Sequence, residues 1–369
     1  TEEVGARRTA AVKAGKPAHY DGRCRHLTNH EIAKFEAEGR TPSLRFAVEY
    51  HEVTLKDIIR GRIRFRSGMI GDFIILRSDG MPTYNFACVV DDSEMGISHV
   101  VRGEEHLSNT LRQCLIYEYL GIEMPAFAHL PLVLGPDRTK LSKRHEATSV
   151  EELRRLGHPP HAILNHLALL GWSPGDDREI MTKQELIERF SLERVSRSPS
   201  IFDEEKLAWI TSHHVKMMTA TELVKGIMPF LEALDYSTDD EQLIIRAVEA
   251  LKDRGEGFSK LADHVAVLLR ASRPIPENLR TRAASEDARK AISLFLEAIS
   301  RASETDRRSV SELLASSLRS SGMKKGQFFM PIRIALTGTT SGPLLPVIVE
   351  VFGKQRTMAL LKRGLERGG

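Results

Sequence analysis

From Val150 onward the chain carries apolar residues at helical spacing in one run after another, and this periodicity is the strongest constraint on its fold. Pro159 sits near the start of a helix running to Leu170, which Gly171-Trp172-Ser173-Pro174 ends. Further helices are predicted over Thr182 or Lys183 to Phe190, Asp203 to Thr211, Ala220 to Leu234, Asp239 to Lys252, Leu261 to Leu269, Asp287 to Arg301 and Val310 to Ser320. Pro331 to Gly338 reads as a short apolar segment and turn, followed by helices over Leu344 to Phe352 and Lys354 to Glu366. Leu207, Trp209, Ile210, Phe230 and Leu231 suit helix–helix packing better than ligand contact.

The front of the chain is punctuated differently. Helical patterns cover residues 4 to 16 and Thr28 to Glu38, the second with Thr28 or Asn29 as its cap. Strands are predicted over Leu44 to Tyr50, Val53 to Ile58, Ile70 to Arg77 and Thr83 to Val90, separated by Gly, Pro and Asp. His106 to Leu120 reads as a helix capped by Gly121, and Leu130 to Leu134 as a short strand. In Arg60-Gly61-Arg62-Ile63-Arg64-Phe65-Arg66, period-two alternation puts four arginines on one face. Such a face suits a phosphate backbone, and it equally suits an edge strand kept soluble by charge. A mixed α/β front is therefore joined to a helical half, with the boundary near residues 195 to 200.

Apolar residues at 41% and charged residues at 28% fit a water-soluble globular chain of 369 residues. No apolar run reaches the 18 or so residues of a membrane span. Three cysteines, Cys24, Cys88 and Cys114, do not make a disulfide framework and point to a reducing compartment. A net charge of +3 excludes a grossly basic protein but not a nucleic-acid binder, because local placement governs such binding. Thr1 opens the chain within a polar run, which reads as a processed or engineered end or as the first residue of a fragment.

The sharpest local feature is the basic loop that follows the Leu130 to Leu134 segment. Lys140, Ser142, Lys143 and Arg144 gather cationic and hydroxyl donors within five residues, behind a turn shaped by Gly135 and Pro136. Such a group can stabilise charge on nucleotide phosphates; it can also be ordinary surface. The glycine spacing of a P-loop is absent.

Lys140-Leu141-Ser142-Lys143-Arg144 resembles the basic signature of class I aminoacyl-tRNA synthetases in its glutamyl form. Three further blocks in order strengthen the resemblance: Tyr20 to His26, Pro82 to Asp92, and Val101 to Thr110. Together with Phe202-Asp203, Lys206-Leu207, Trp209 and the Arg333 to Pro343 block, they resemble the bacterial glutamyl-tRNA synthetases over essentially the whole chain.

The resemblance implies a Rossmann-like catalytic domain with an inserted acceptor-binding region over residues 1–130. The basic loop and a stem-contact region would occupy 131–200, and a helical anticodon-binding region 201–369. It implies activation of L-glutamate by ATP with Mg2+, transfer to the 3′ end of tRNA(Glu), a monomer, and a cytoplasmic enzyme; whether tRNA(Gln) is also charged stays open. Lys143 would meet the ATP phosphates, with Lys140, Ser142 and Arg144 shaping the catalytic loop, while Tyr84 and Arg102 match positions of the glutamate pocket. Cys88 departs from the polar contact of some relatives. Cys24 and His26 resemble half of a zinc site whose other half would lie upstream, so zinc is expected only in an intact parent. No His-Ile-Gly-His-like tetrapeptide occurs. The expectation is therefore a catalytic domain lacking its front, inactive alone, with a non-catalytic tRNA-binding or regulatory fragment as the alternative.

Overall fold

The computed structural model describes residues 2–15, 20–49, 52–65, 69–141, 149–236 and 240–366. The chain divides into two compact units. The first comprises Thr1–Lys140, Leu170–Asp177 and Arg189–Ile201. The second comprises Leu141–Leu169, Arg178–Glu188 and Phe202–Gly369.

Among the described residues, eight short strands lie in the first unit: β1 (Leu44–Phe46), β2 (Val53–Asp57), β3 (Gly61–Phe65), β4 (Phe73–Leu76), β5 (His99–Gly103), β6 (Ala126–Leu130), β7 (Val133–Leu134) and β8 (Ser200–Ile201). Four of them form a sheet in the order β3-β2-β6-β5. β2 and β3 make an antiparallel hairpin, whereas β2 with β6 and β5 with β6 are parallel. Parallel neighbours need a crossover, and here the Leu107–Leu120 helix supplies it between β5 and β6. That helix ends where predicted: Gly121 takes the left-handed conformation at φ 65°, which a side chain would resist. The sheet and its helices bury Leu55, Phe65, Val89, Leu111, Ile116 and Phe127 in one cluster.

The predicted strand over Thr83 to Val90 is instead the helix Tyr84–Glu94. Its branched and aromatic residues have strand propensity, but Phe86, Val89 and Val90 also recur at helical spacing. Thr83 decides the start: its backbone is extended, its N–H donates to Ile75 O at 2.8 Å and its hydroxyl to Ile74 O at 2.8 Å, so pairing with β4 stops there. β5 carries no strand prediction, and the Leu130 to Leu134 segment is divided between the end of β6 and β7.

The arginine row is not one face. Arg62 and Arg64 are exposed on the edge strand β3, as its alternation requires. Arg60 lies in the preceding turn, paired with Glu104, and Arg66 falls outside the described residues.

The second unit is helical. Its core includes Leu223, Ile227, Val248, Val265, Phe295 and Phe328, all essentially without solvent contact. In the Glu286–Arg301 helix the buried positions Ala288, Ala291, Ile292, Phe295 and Ile299 follow the three-and-four spacing of one helical face. Ser285 caps it by accepting from the Ala288 N–H at 3.2 Å. Full burial of a side chain such as Phe295 stabilises by about 1.5–3 kcal/mol. The Pro331 to Gly338 segment, read as irregular, is the second half of a helix over Lys325–Thr337, with Pro331 inside it. The last two predicted helices meet at Gly353, whose φ of 70° and ψ of 170° break the helix between them.

Among the polar groups buried in this unit, Asn165 makes three contacts. Its Nδ2 donates to Glu179 O at 3.0 Å, and its Oδ1 accepts from Met181 N at 2.9 Å and lies 3.0 Å from His214 Nε2. Nearby in sequence, His166 is buried edge-on to Phe202 with neither ring nitrogen hydrogen-bonded, and burial pushes its pKa down to about 4.

Candidate active site

The first unit holds a connected polar cluster on β2, β5, β6 and the Leu107–Leu120 helix. It begins at Asp57, the last residue of β2. Asp57 Oδ1 accepts the backbone N–H groups of Ile59 at 3.0 Å and Arg60 at 2.8 Å, which shapes the hairpin turn. Its Oδ2 accepts the His129 N–H at 3.1 Å and faces His129 Nδ1 at 2.6 Å. Both side chains are wholly buried.

A carboxylate that accepts from Nδ1 fixes the imidazole as the Nδ1–H tautomer, leaving Nε2 as an acceptor. Burial lowers the His129 pKa, Asp57 opposes that shift, and the neighbouring Arg102 charge reinforces it. His129 Nε2 lies 2.8 Å from the Thr110 hydroxyl. Arg102, on β5, then donates through Nη2 to Thr110 Oγ1 at 2.7 Å and to Gln113 Oε1 at 2.6 Å. Its Nε faces His129 Nε2 at 3.5 Å, and the guanidinium stands 5.6 Å from the Phe127 ring centroid.

Arg102 pairs with neither adjacent glutamate. Glu104 is engaged by Arg60 and by the Leu132 N–H at 3.2 Å. Glu105 accepts from Lys140 Nζ at 3.0 Å, and that hydrogen bond holds its carboxyl below the usual range. Among the described residues no carboxylate pairs with Arg102. Its other side-chain partner is the Tyr84 phenol, so among the described residues this half-buried guanidinium is held by neutral groups, and its chemistry suits an anion.

Tyr84 opens its helix beside this group and is 55% exposed, so it is not strand packing. Burial and the Cys88 thiol raise its phenol above the ordinary value, while Arg102 draws it down. Cys88 is half-buried, and burial pushes its thiol up. Tyr84, Cys88 and Arg102 therefore come together.

Lys140 joins them only through Glu105, three residues beyond Arg102. The turn before it is tight: Arg138 N donates to Gly135 O at 2.9 Å and Gly135 N to Thr139 O at 2.9 Å. Ser142, Lys143 and Arg144 lie outside the described residues. Cys24 and His26 are exposed, the Cys24 N–H donating to the Tyr20 hydroxyl at 2.9 Å. No group of three or more His, Cys, Asp or Glu side chains able to hold a metal occurs among the described residues.

The sequence reading had no hold on Asp57, Thr110, Gln113 and His129. Thr110 and Gln113 share a helical face at a spacing of three, which is a signal only once Arg102 is known to lie beside it. Asp57 and His129 are 72 residues apart and meet through sheet pairing alone.

A family model of class I tRNA synthetases (E and Q), catalytic domain, matches residues 1–209. An anticodon-binding-domain model matches residues 222–365. A glutamate–tRNA ligase of Desulforamulus reducens is 43% identical, over 99% of this chain and 77% of its own length. That of Aquifex aeolicus is 41% identical, over 99% of this chain and 78% of its own. The crystal structure of a glutamate tRNA ligase from Elizabethkingia meningosepticum, in complex with its amino acid, matches with a TM-score of 0.78 and 28% identity, covering 99% of this chain and 78% of that one. No helix among the described residues is long and apolar enough to cross a membrane.

These matches correct the expectation of a partial catalytic domain that lacks its front and is inactive for that reason. The catalytic-domain model applies from the first residue through 209, and the helical anticodon-binding model follows it. In the first unit, strands and helices bury a core around the four-stranded sheet.

Proposed function

We propose, for a chain that belongs to the class I glutamate–tRNA ligase family, that it activates L-glutamate with ATP and passes the glutamyl group to the 3′ end of tRNA(Glu). The α-carboxylate of glutamate attacks the α-phosphorus of ATP, taken as its magnesium complex, and pyrophosphate leaves. A hydroxyl of the terminal ribose of tRNA then attacks the glutamyl carbonyl and displaces AMP.

Arg102 and Tyr84 are assigned to glutamate, the first through Nη1 of its guanidinium and the second through its phenol. The observation that carries this assignment is Arg102 itself, a half-buried cation held only by neutral acceptors among the described residues. Lys143 is assigned to the transferring phosphates, and Lys140, Ser142 and Arg144 to the shape and closure of the loop. The carboxylate is already a competent nucleophile, so these residues act by positioning and charge stabilisation. Acceptor-end contacts are assigned to residues 1–130, stem contacts to 131–200 and anticodon contacts to 201–369, in a cytoplasmic monomer.

The test is an acid-gel charging assay of this chain with radiolabelled glutamate, magnesium-ATP and, separately, tRNA(Glu) and tRNA(Gln). Charging of tRNA(Glu), lost on Lys143→Ala and Arg102→Ala, is the expected result. Failure of the unaltered chain to charge either tRNA overturns the proposal.

A further inference from the structure

Arg102 needs a holder that does not neutralise it. A glutamate or aspartate placed directly on the guanidinium would fix it but would also compete with any incoming carboxylate. Its two Nη2 hydrogens go instead to a hydroxyl and an amide oxygen, Thr110 Oγ1 at 2.7 Å and Gln113 Oε1 at 2.6 Å. Both acceptors are neutral, and both residues are buried. The anion of the cluster, Asp57, stands one imidazole further back, 2.6 Å from His129 Nδ1.

The distances favour one arrangement, in which His129 Nε2 accepts from the Thr110 hydroxyl and, at 3.5 Å, from Arg102 Nε. Asp57 can only accept, so His129 Nδ1 donates and Nε2 is left bare. The Thr110 hydroxyl, 2.8 Å away, supplies the proton that Nε2 requires. Its remaining lone pairs then face Arg102. The alternative acceptor for that hydroxyl, His106 O, lies farther off at 3.1 Å. Gln113 has the same polarity: turning its amide over would aim two N–H donors at a cation. The fold keeps the carbonyl on Arg102 even though Gln113 Nε2 is then buried with no hydrogen-bond partner, a defect that ordinarily costs about 1–3 kcal/mol.

We infer that Thr110, Gln113, His129 and Asp57 are positioning residues for substrate recognition: they lock Arg102 through Nη2, keep its charge uncompensated, and so reserve Nη1 for a carboxylate of the amino-acid substrate. This rests on the reading of Arg102 as the glutamate-binding group. It adds that a neutral relay, not a salt bridge, sets the strength of that binding, and that the carboxylate meets one edge nitrogen and not the full fork.

Thr110→Val removes the hydroxyl at nearly constant volume, and Thr110→Ser restores it. His129→Asn keeps an N–H for Asp57 but deletes the Nε2 acceptor. Each loss variant is expected to raise the glutamate KM and the calorimetric Kd for glutamate by about tenfold to a hundredfold, the effect of losing a hydrogen bond to a charged group. The KM for ATP and kcat at saturating glutamate are expected to stay within about twofold. The serine variant recovers most of the loss. In an Arg102→Ala background, Thr110→Val adds less than about twofold, because the two act as one unit.

The outcomes separate the two ideas. If Arg102→Ala raises the glutamate KM while Thr110→Val and His129→Asn do not, the relay is overturned and the Arg102 reading stands. If Thr110→Val raises the KM of every substrate alike and lowers the thermal midpoint without rescue by serine, its role is structural and the relay is again overturned. If Arg102→Ala leaves glutamate binding unchanged, or the unaltered chain binds no glutamate, the reading of Arg102 fails and the relay with it.

Discussion

The two units differ in how their interiors are held. The helical unit packs hydrocarbon around Phe295 and Phe328, with buried polar groups such as Asn165 and His166 elsewhere in it, while the sheet unit threads a chain of polar groups from Asp57 to Arg102 through its centre. The first arrangement gives stability that is spread over many small contacts and tolerant of detail. The second depends on geometry, since each member is satisfied only if its neighbour is in place. A difference of this kind separates a scaffold from a binding site, and substitution can tell the two apart.

The largest stability effect is expected in the apolar interior. Phe295→Ala should cost about 3–5 kcal/mol, read as a lower urea midpoint, and leave the glutamate KM within about twofold. A normal midpoint would mean that the helical core collapses around the gap. Arg102→Ala should do the reverse. It is expected to lower kcat/KM for glutamate by about a hundredfold, roughly 3 kcal/mol of binding, with little change in the urea midpoint. A large stability loss there would make Arg102 a structural member of the cluster.

How much of this division is legible in the sequence follows from the same contrast. Ala288, Ala291, Ile292, Phe295 and Ile299 announce their helix because burial of one helical face is a local, periodic requirement. Pro331 hides another helix, because a proline reads as a breaker although neighbouring contacts can hold a helix around it. Tyr84 and Arg102 are singled out by resemblance and lie together, but the groups that hold Arg102 are not singled out. Nothing near Asp57 in sequence refers to His129, and nothing near Gln113 specifies which end of its amide faces a cation. Periodic burial writes itself into a sequence, whereas a polar relay is written only in space.

A smaller effect sharpens the comparison within the helical unit. There His166 is a titratable ring buried with neither nitrogen hydrogen-bonded. In the unfolded chain the ring takes up its proton near 6.5, in the folded chain only near 4. The unfolded state therefore binds the extra proton between those values, and stability falls as the pH drops through that window. The expected loss from His166 is about 2–3 kcal/mol by pH 4, to which His158 and His214, also held below their ordinary values by burial, add with the same sign. His166→Leu should flatten the pH dependence of the urea midpoint; an unchanged slope would assign it to the other two rings.

The smallest effect belongs to the surface. The Lys140–Glu105 pair is 60% and 41% exposed, so Glu105→Gln should change the unfolding free energy by less than about 1 kcal/mol. A larger change would mean that this pair belongs to the buried cluster and not to the solvent-facing loop.

Asp57 has a further consequence, in the order of folding. Its carboxylate gathers N–H groups from its own turn and from His129, so it closes a loop of 72 residues as well as a hairpin. The hairpin half is local and fast to form, while the His129 half must wait until β6 has paired beside β2, after the loop-closure entropy has been overcome. Until that pairing is made, His129 has no partner to set its tautomer and Arg102 has no fixed direction. On the role proposed for Arg102, recognition of an amino acid is thus coupled to the long-range pairing of β6 with β2, and a partly folded chain with its hairpin and helices alone would still be blind to the substrate.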